Sequence, residues 1–205
     1  TEILLTHPGI YKVYFVPSIS NPVVHGVYDL IVYTSNYANN KEVNEFIQKV
    51  LDIWRPLCSA IQGVHIPPVR EITVSLDIEI NTEDNIQKVV ENYFFEIRKF
   101  LEGGKTNQDL THVRIFNLEN FSEKVTFELQ AADLVTQINQ VYYTENIRHI
   151  AISDPEFPFV WTLKYTRPYR LEVSPKSTLR LFHQGVILGT YSAEDTLKTI
   201  LANND

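Results

Sequence analysis

Cys58 is the single cysteine among 205 residues, and its thiol would be a nucleophile if the fold brought a histidine to it. Leu57, Ala60 and Ile61 around it fit a small buried filler better. The six histidines, His7, His25, His65, His112, His149 and His183, are scattered singly, with no pair at metal-ligand spacing. One thiol cannot furnish a Cys-based zinc site or an internal disulfide framework. Asp77 and Glu79 stand two residues apart, a spacing that puts two carboxylates on one strand face and permits paired acid–base chemistry. The polar alternation of a half-wet strand accounts for them more simply. Lys164-Tyr165-Thr166-Arg167-Pro168-Tyr169-Arg170 interleaves basic and aromatic residues, as single-strand nucleic-acid sites do. The polar face of a strand pair around Pro168 explains the same run. The seven glycines form no dinucleotide or P-loop pattern, and neither G-x-S-x-G nor H-E-x-x-H occurs. The expectation is a binding or structural protein, not an enzyme, with no catalytic residue, no cofactor and no metal.

The elements that carry these residues are readable. Pro8-Gly9 signals a turn, and six of the seven residues 10–16 are β-branched or aromatic, which predicts a buried strand. A second strand is predicted over 27–33. Polar residues 34–40 supply a helix N-cap, after which Val43, Phe46, Ile47, Val50, Leu51 and Trp54 recur at spacings of three and four, one stripe facing a core. Pro56 predicts a break, with the helix stopping at Trp54 or resuming to Ile61, and Gly63 ends that helical material. Ile72, Val74, Leu76, Ile78 and Ile80 alternate with Thr73, Ser75, Asp77 and Glu79, a long strand with one face buried and one wet. Asn81-Thr82 is expected to cap a helix over 86–101 that closes at Gly103-Gly104.

Shorter elements follow. Strands are predicted over 113–116 and 125–129, a short helix over 131–138, and another strand over 147–152. The prolines of Asp154-Pro155-Glu156-Phe157-Pro158 terminate any regular element. Strands over 159–165 and 169–173 come next, then a hairpin pairing 179–182 with 186–191 around His183-Gln184-Gly185, and a terminal helix over 193–202. The reading is an α+β fold: small mixed sheets with packed amphipathic helices in strand-strand-helix-strand-helix order, then a mostly β segment. It divides as an α/β unit with two amphipathic helices over 1–104, a smaller α+β unit over 105–153, and a β-rich segment with a terminal helix over 154–205. No internal repeat or low-complexity tract is present.

Composition sets the outer bounds. A hydrophobic fraction of 44% and a charged fraction of 21% exclude a disordered chain or a coiled-coil rod. The net charge of −7 argues against duplex nucleic acid or an anionic membrane as partner. The longest nearly apolar stretch, 10–19, is broken by Lys12 and Pro17 and falls far below the ~20 residues that span a bilayer. No secretory signal pattern opens the chain. It begins at Thr1 and contains no methionine, which reads as a fragment of something longer. Eleven tyrosines, eleven phenylalanines and two tryptophans are a surplus of the side chains that serve protein interfaces, and Tyr142-Tyr143 lies in a polar setting.

The order of elements up to Ile152 resembles the baseplate J-like family of contractile tails and related injection machines. Pro8-Gly9 leading into the first strand, the helix running into Arg55-Pro56-Leu57, Val64 and Pro67, the alternating strand and the second amphipathic helix carry the likeness. Leu134, Ile138 and Val141 before Ile147 resemble that family's short helix before its final strand. The family carries glycine near position 145, where this chain has Tyr143-Thr144-Glu145-Asn146. The resemblance implies the C-terminal portion of a baseplate wedge subunit, a homodimer or paralogue heterodimer within a ring around the central hub. It implies other wedge subunits as partners, with no nucleic acid and no membrane insertion. It also implies assembly in the bacterial cytoplasm and residence in a virion or injection-particle baseplate. Interface hot spots favour aromatics and arginine, so Tyr142, Tyr143, Trp161, Arg167 and Tyr169 are the expected contact residues. A ferredoxin-like small-molecule-binding or regulatory module is the alternative.

Overall fold

Residues 2–18, 26–34, 39–54, 60–101, 112–115, 125–158, 160–165 and 167–196 are described by a computed structural model, and their fold is α+β. In chain order they form a 3-10 turn (Leu4–Thr6), β1 (Ile10–Pro17), β2 (Val27–Thr34), α1 (Asn40–Ile53), β3 (Ala60–His65), β4 (Val69–Ile80) and α2 (Ile86–Leu101). Then come β5 (His112–Ile115), β6 (Val125–Gln130), α3 (Ala131–Ile138), β7 (Thr144–Ser153), β8 (Thr162–Tyr165), β9 (Arg170–Val173), β10 (Thr178–His183) and β11 (Val186–Ser192). Two compact units result, each assembled from separate stretches of chain. One comprises Thr1–Pro68, Val113–Phe127 and Tyr165–Arg170; the other comprises Val69–His112, Glu128–Lys164 and Leu171–Asp205. Strands β5, β6 and β8 pair in a small three-stranded sheet.

In the first unit β1 pairs antiparallel with β2, and β2 pairs parallel with β3, so α1 is the crossover a parallel pair requires. The side chain of Asn39 caps α1 by accepting from the Lys41 N–H at 3.0 Å, while its own Nδ2 donates to Glu42. Val43, Ile47 and Leu51 of α1 are buried against Ile10, Val13, Leu30 and Val32, with Phe46 and Val50 packed alongside. Trp54, expected on that stripe, is instead 62% exposed. The helix ends at Ile53, and the Trp54 backbone has left helical geometry, so the period no longer aims its ring inward. Gly63 ends no helix; it lies within β3. A Cβ there would sit 3.0 Å from Asp29 Oδ1 and 3.1 Å from His65 Nε2, so the absent side chain makes room for a buried carboxylate. The expected features at Pro56, Cys58, His25, Gly103-Gly104 and 197–202 lie outside the described residues.

In the second unit β4 is central, paired antiparallel with β7 and parallel with β10, while β11 joins β10 as a hairpin and β9 also pairs with β4. Ile72, Val74, Leu76, Ile78 and Ile80 are fully buried, as their alternation predicts. The stripe of α2 (Val89, Val90, Tyr93, Phe94, Ile97, Phe100, Leu101) is buried too, each large side chain contributing roughly 1.5–3 kcal/mol. The Tyr93 hydroxyl lies 2.9 Å from Thr144 Oγ1 at the start of β7, and Gln137 of α3 donates to Glu96 of α2 at 2.5 Å. Asn81-Thr82 does not cap α2. The Asn81 N–H still donates to the Tyr143 carbonyl, and the helix is launched from Asn85, whose left-handed φ of 52° turns the chain. Its carbonyl accepts from Lys88 and Val89. Beyond β7, Asp154 Oδ1 accepts from the N–H groups of Glu156 and Phe157 and folds the two-proline segment into a tight turn.

Candidate interface site

On β4 the residues between the buried apolar ones point to the opposite face of the sheet. Strand register decides their neighbours: Thr178 lies beside Ser75 and Arg180 beside Asp77 on β10, while Ala151 lies beside Ser75 and His149 beside Asp77 on β7. An irregularity after Asp77 in the β4–β7 pairing turns Arg148 toward Glu79. Arg180 grips Asp77 with both arms of its fork, Nε to Oδ1 at 3.0 Å and Nη2 to Oδ2 at 2.5 Å. Glu79 accepts from the Gly185 N–H at 2.8 Å and pairs with Arg148. Both guanidinium groups lie over the ring of Phe182, 4.3 Å away for Arg148 and 5.7 Å for Arg180.

This overturns the wet-face reading. Asp77 and Glu79 are buried, and each is answered by an arginine from a neighbouring strand. The Gly185 N–H, and after it Arg148, hold the Glu79 carboxyl below the usual carboxylate range despite opposing desolvation. A general acid needs the reverse shift. Two of the histidines are engaged by the backbone. His183 Nδ1 is 2.8 Å from the Ile80 carbonyl, and His7 Nδ1 accepts from the Gly9 N–H. His65 Nε2 stands 3.6 Å from Asp29, too far for a hydrogen bond. Among the described residues no three His, Cys, Asp or Glu side chains could hold a metal ion.

Next to this charged ladder is an open groove of about 440 Å³ lined by Ser75, His149, Ile150, Ala151, Val160 and Trp161. Trp161 is 57% exposed, yet its backbone is pinned. Its carbonyl accepts from the Ala131 N–H at 2.9 Å, and the preceding Val160 exchanges hydrogen bonds with Ile152. An exposed indole on a fixed backbone loses little freedom on contact, which suits an anchor residue.

The other expected contact residues fall elsewhere on the chain. Tyr142 is 84% exposed and packs edge-on against half-buried Tyr143, ring centres 5.4 Å apart, in the turn between α3 and β7. Arg167 donates from Nε to the Tyr169 hydroxyl at 2.6 Å and lies over that ring, while Tyr169 packs against Tyr165. The basic-aromatic run is thus internally committed: Lys164 pairs with Glu128, and Arg170 donates to the Thr34 carbonyl. Sequence reasoning missed Val186 and Ile187, exposed at the start of β11, although an uncharged hairpin arm was visible. Phe95, exposed on α2 one step off the buried stripe, was also missed, and its helical phase marked it.

The fold is similar to that of a baseplate chain. One such neighbour is a chain in the cryo-electron microscopy structure of the anti-feeding prophage (AFP) baseplate, determined with six-fold symmetrisation. The TM-score is 0.52 at 12% identity, over 84% of this chain and 36% of that one. This chain therefore spans about a third of its neighbour's length, and the likeness is one of fold. No family model matches the sequence, and no curated protein matches it. Among the described residues no helix is long and apolar enough to cross a membrane.

Proposed function

We propose that this chain is a structural component of the baseplate of a contractile tail or injection machine, part of a wedge subunit that joins neighbouring wedges into a ring around the hub. The observation that carries the reading is the fold likeness to an anti-feeding prophage baseplate chain over 84% of this chain. The resemblance in element order to the baseplate J-like family supports it. The work is mechanical, and the partners are other wedge subunits, including a second copy or a paralogue of this chain. Contact runs through aromatics and arginine, with exposed Trp161 and its groove as the anchor point and Tyr142, Tyr143, Arg167 and Tyr169 as further contacts. A polar sheet face with its charges already paired suits an interface that must hold and later rearrange, because separation leaves no carboxylate buried alone.

The test is a tag on the full-length protein at its native locus, gentle purification, and mass spectrometry of what accompanies it. Sheath, tube and other baseplate proteins are the expected companions, and Trp161→Ala is expected to deplete them while leaving the fold intact. A clean monomer without such companions overturns the reading and turns attention to small-molecule binding in the groove.

A further inference from the structure

Trp161 and His149 both line the groove beside the second unit's charged ladder, and both side chains are exposed. Among the described residues neither ring has a hydrogen-bond, ion-pair or ring partner. The sheet between them is low: Ser75 and Ala151 are register partners across β4 and β7, and both line the groove. The Ser75 hydroxyl accepts from Thr178 Oγ1 at 3.5 Å, the outer limit of a hydrogen bond, and keeps its own proton to donate. A volume of about 440 Å³ falls within the ~300–1,000 Å³ of small-molecule clefts. The adjacent charges are matched, Asp77 by Arg180 and Glu79 by Arg148, so no fixed charge is left over to recruit an ion.

We propose that this groove binds a neutral pyranose saccharide, one face of the sugar ring stacked on the Trp161 indole and its hydroxyls bonded to Ser75 and His149. A pyranose is amphipathic in the same way as the groove: axial C–H groups form an apolar face, and hydroxyls ring its edge. The negative face of an indole attracts those polarised C–H groups, and its area takes the apolar face out of water. A neutral imidazole offers one donor and one acceptor, and a serine hydroxyl offers both, which is the pairing a sugar hydroxyl requires. The small side chains of Ser75 and Ala151 leave room for a body one ring thick against the indole. A charged ligand finds no counter-charge here, and a wholly aliphatic one leaves the polar groups of Ser75 and His149 unpaired. The inference goes beyond the baseplate reading and does not rest on it; a saccharide and a wedge contact on Trp161 exclude each other.

The experiment is fluorescence titration of the purified chain in a Trp54→Phe background. Trp54 and Trp161 are the two tryptophans of the sequence, so the emission then reports Trp161 alone. The probes are cellobiose, maltose, lactose and N,N′-diacetylchitobiose, with glucuronic acid as the charged control. At least one disaccharide is expected to shift the emission to the blue and to saturate, and glucuronic acid is expected to do neither. His149→Ala is expected to raise the dissociation constant at least about tenfold, or ~1.4 kcal/mol, with an unchanged far-ultraviolet spectrum. Trp161→Ala, read by calorimetry, is expected to abolish binding. Saturation-transfer NMR on the unaltered chain keeps the test decisive should a variant misfold, because the C–H protons of one sugar face are expected to receive most of the saturation. No saturable response to any disaccharide, a response to glucuronic acid as strong, binding indifferent to both variants, or saturation spread evenly over the sugar overturns the inference. A saccharide bound by a chain whose native purification brings no baseplate protein overturns the baseplate reading and leaves this inference standing.

Discussion

The two units bury carboxylates on their sheets by opposite means. In the first, Asp29 is buried because Gly63 on the paired strand has no side chain to collide with it. In the second, Asp77 and Glu79 are buried among ordinary side chains because Arg180 and Arg148 arrive from the flanking strands to pair with them. The first unit makes room beside its carboxylate, with His65 3.6 Å away, and the second meets its carboxylates with two arginines. A steric solution tolerates salt and fails when volume is added; an electrostatic one tolerates volume and fails when a charge is removed.

The sharpest way to break the comparison is to empty one core at a time. Leu30→Ala in the first unit and Leu76→Ala in the second each delete a fully buried side chain, with an expected cost of about 2–5 kcal/mol. Hydrogen exchange read alongside the denaturant midpoint is expected to show loss of protection concentrated in the unit that carries the cavity. Uniform loss in both variants would mean the units fold as one.

Added volume probes the steric solution directly. Gly63→Ala places a methyl group 3.0 Å from Asp29 Oδ1 and is expected to destabilise by about 1–3 kcal/mol, measured by thermal unfolding. The alkaline limb offers a third probe, because each unit buries a phenol. Burial pushes Tyr93 up to about 12 from 10.0, and Tyr33 is raised by the same cause. The unfolded chain therefore sheds these protons first, and stability is expected to fall as pH rises from 10 toward 12, by about 1.4 kcal/mol per pH unit for Tyr93 alone. Tyr93→Phe is expected to flatten part of that slope and to lose about 1 kcal/mol at neutral pH with the Thr144 contact.

The smallest effect is expected on the acid side. Glu79 is held below its ordinary value of 4.5, so the unfolded chain takes up the proton first and stability declines as pH falls through that range and below. Glu79→Gln is expected to shallow the decline, seen as a smaller difference between melting temperatures at neutral and acid pH. High salt is expected to weaken the second unit's ladder.

What could be read from the sequence follows from the range of the interactions involved. The alternation from Ile72 to Ile80 and the stripe of α2 are local patterns, and both are found as the periods predict. The environment of Asp77 is not local: its partner Arg180 lies 103 residues further on, and no window of sequence brings the two together. The strand β3 went unread because Gly63 resembles a helix terminator, and only the buried Asp29 on the neighbouring strand explains it. Trp54 sits on the right helical phase one residue too late, after the helix has ended. Among the expected contact residues, Trp161 could be named from its type, while the groove beside it depends on the pairing of β4 with β7 and on the bridge to Val160.

The parallel pairing of β4 with β10 has a consequence in time. During synthesis the central strand emerges with neither neighbour made, and its second partner follows 103 residues later, on the order of 5–20 s at ordinary elongation rates. Throughout that interval a twelve-residue strand, β4, with an apolar face is available to any other nascent chain nearby. A slow, topology-limited closure of this sheet makes the second unit the one that most needs protection on its way to the native state.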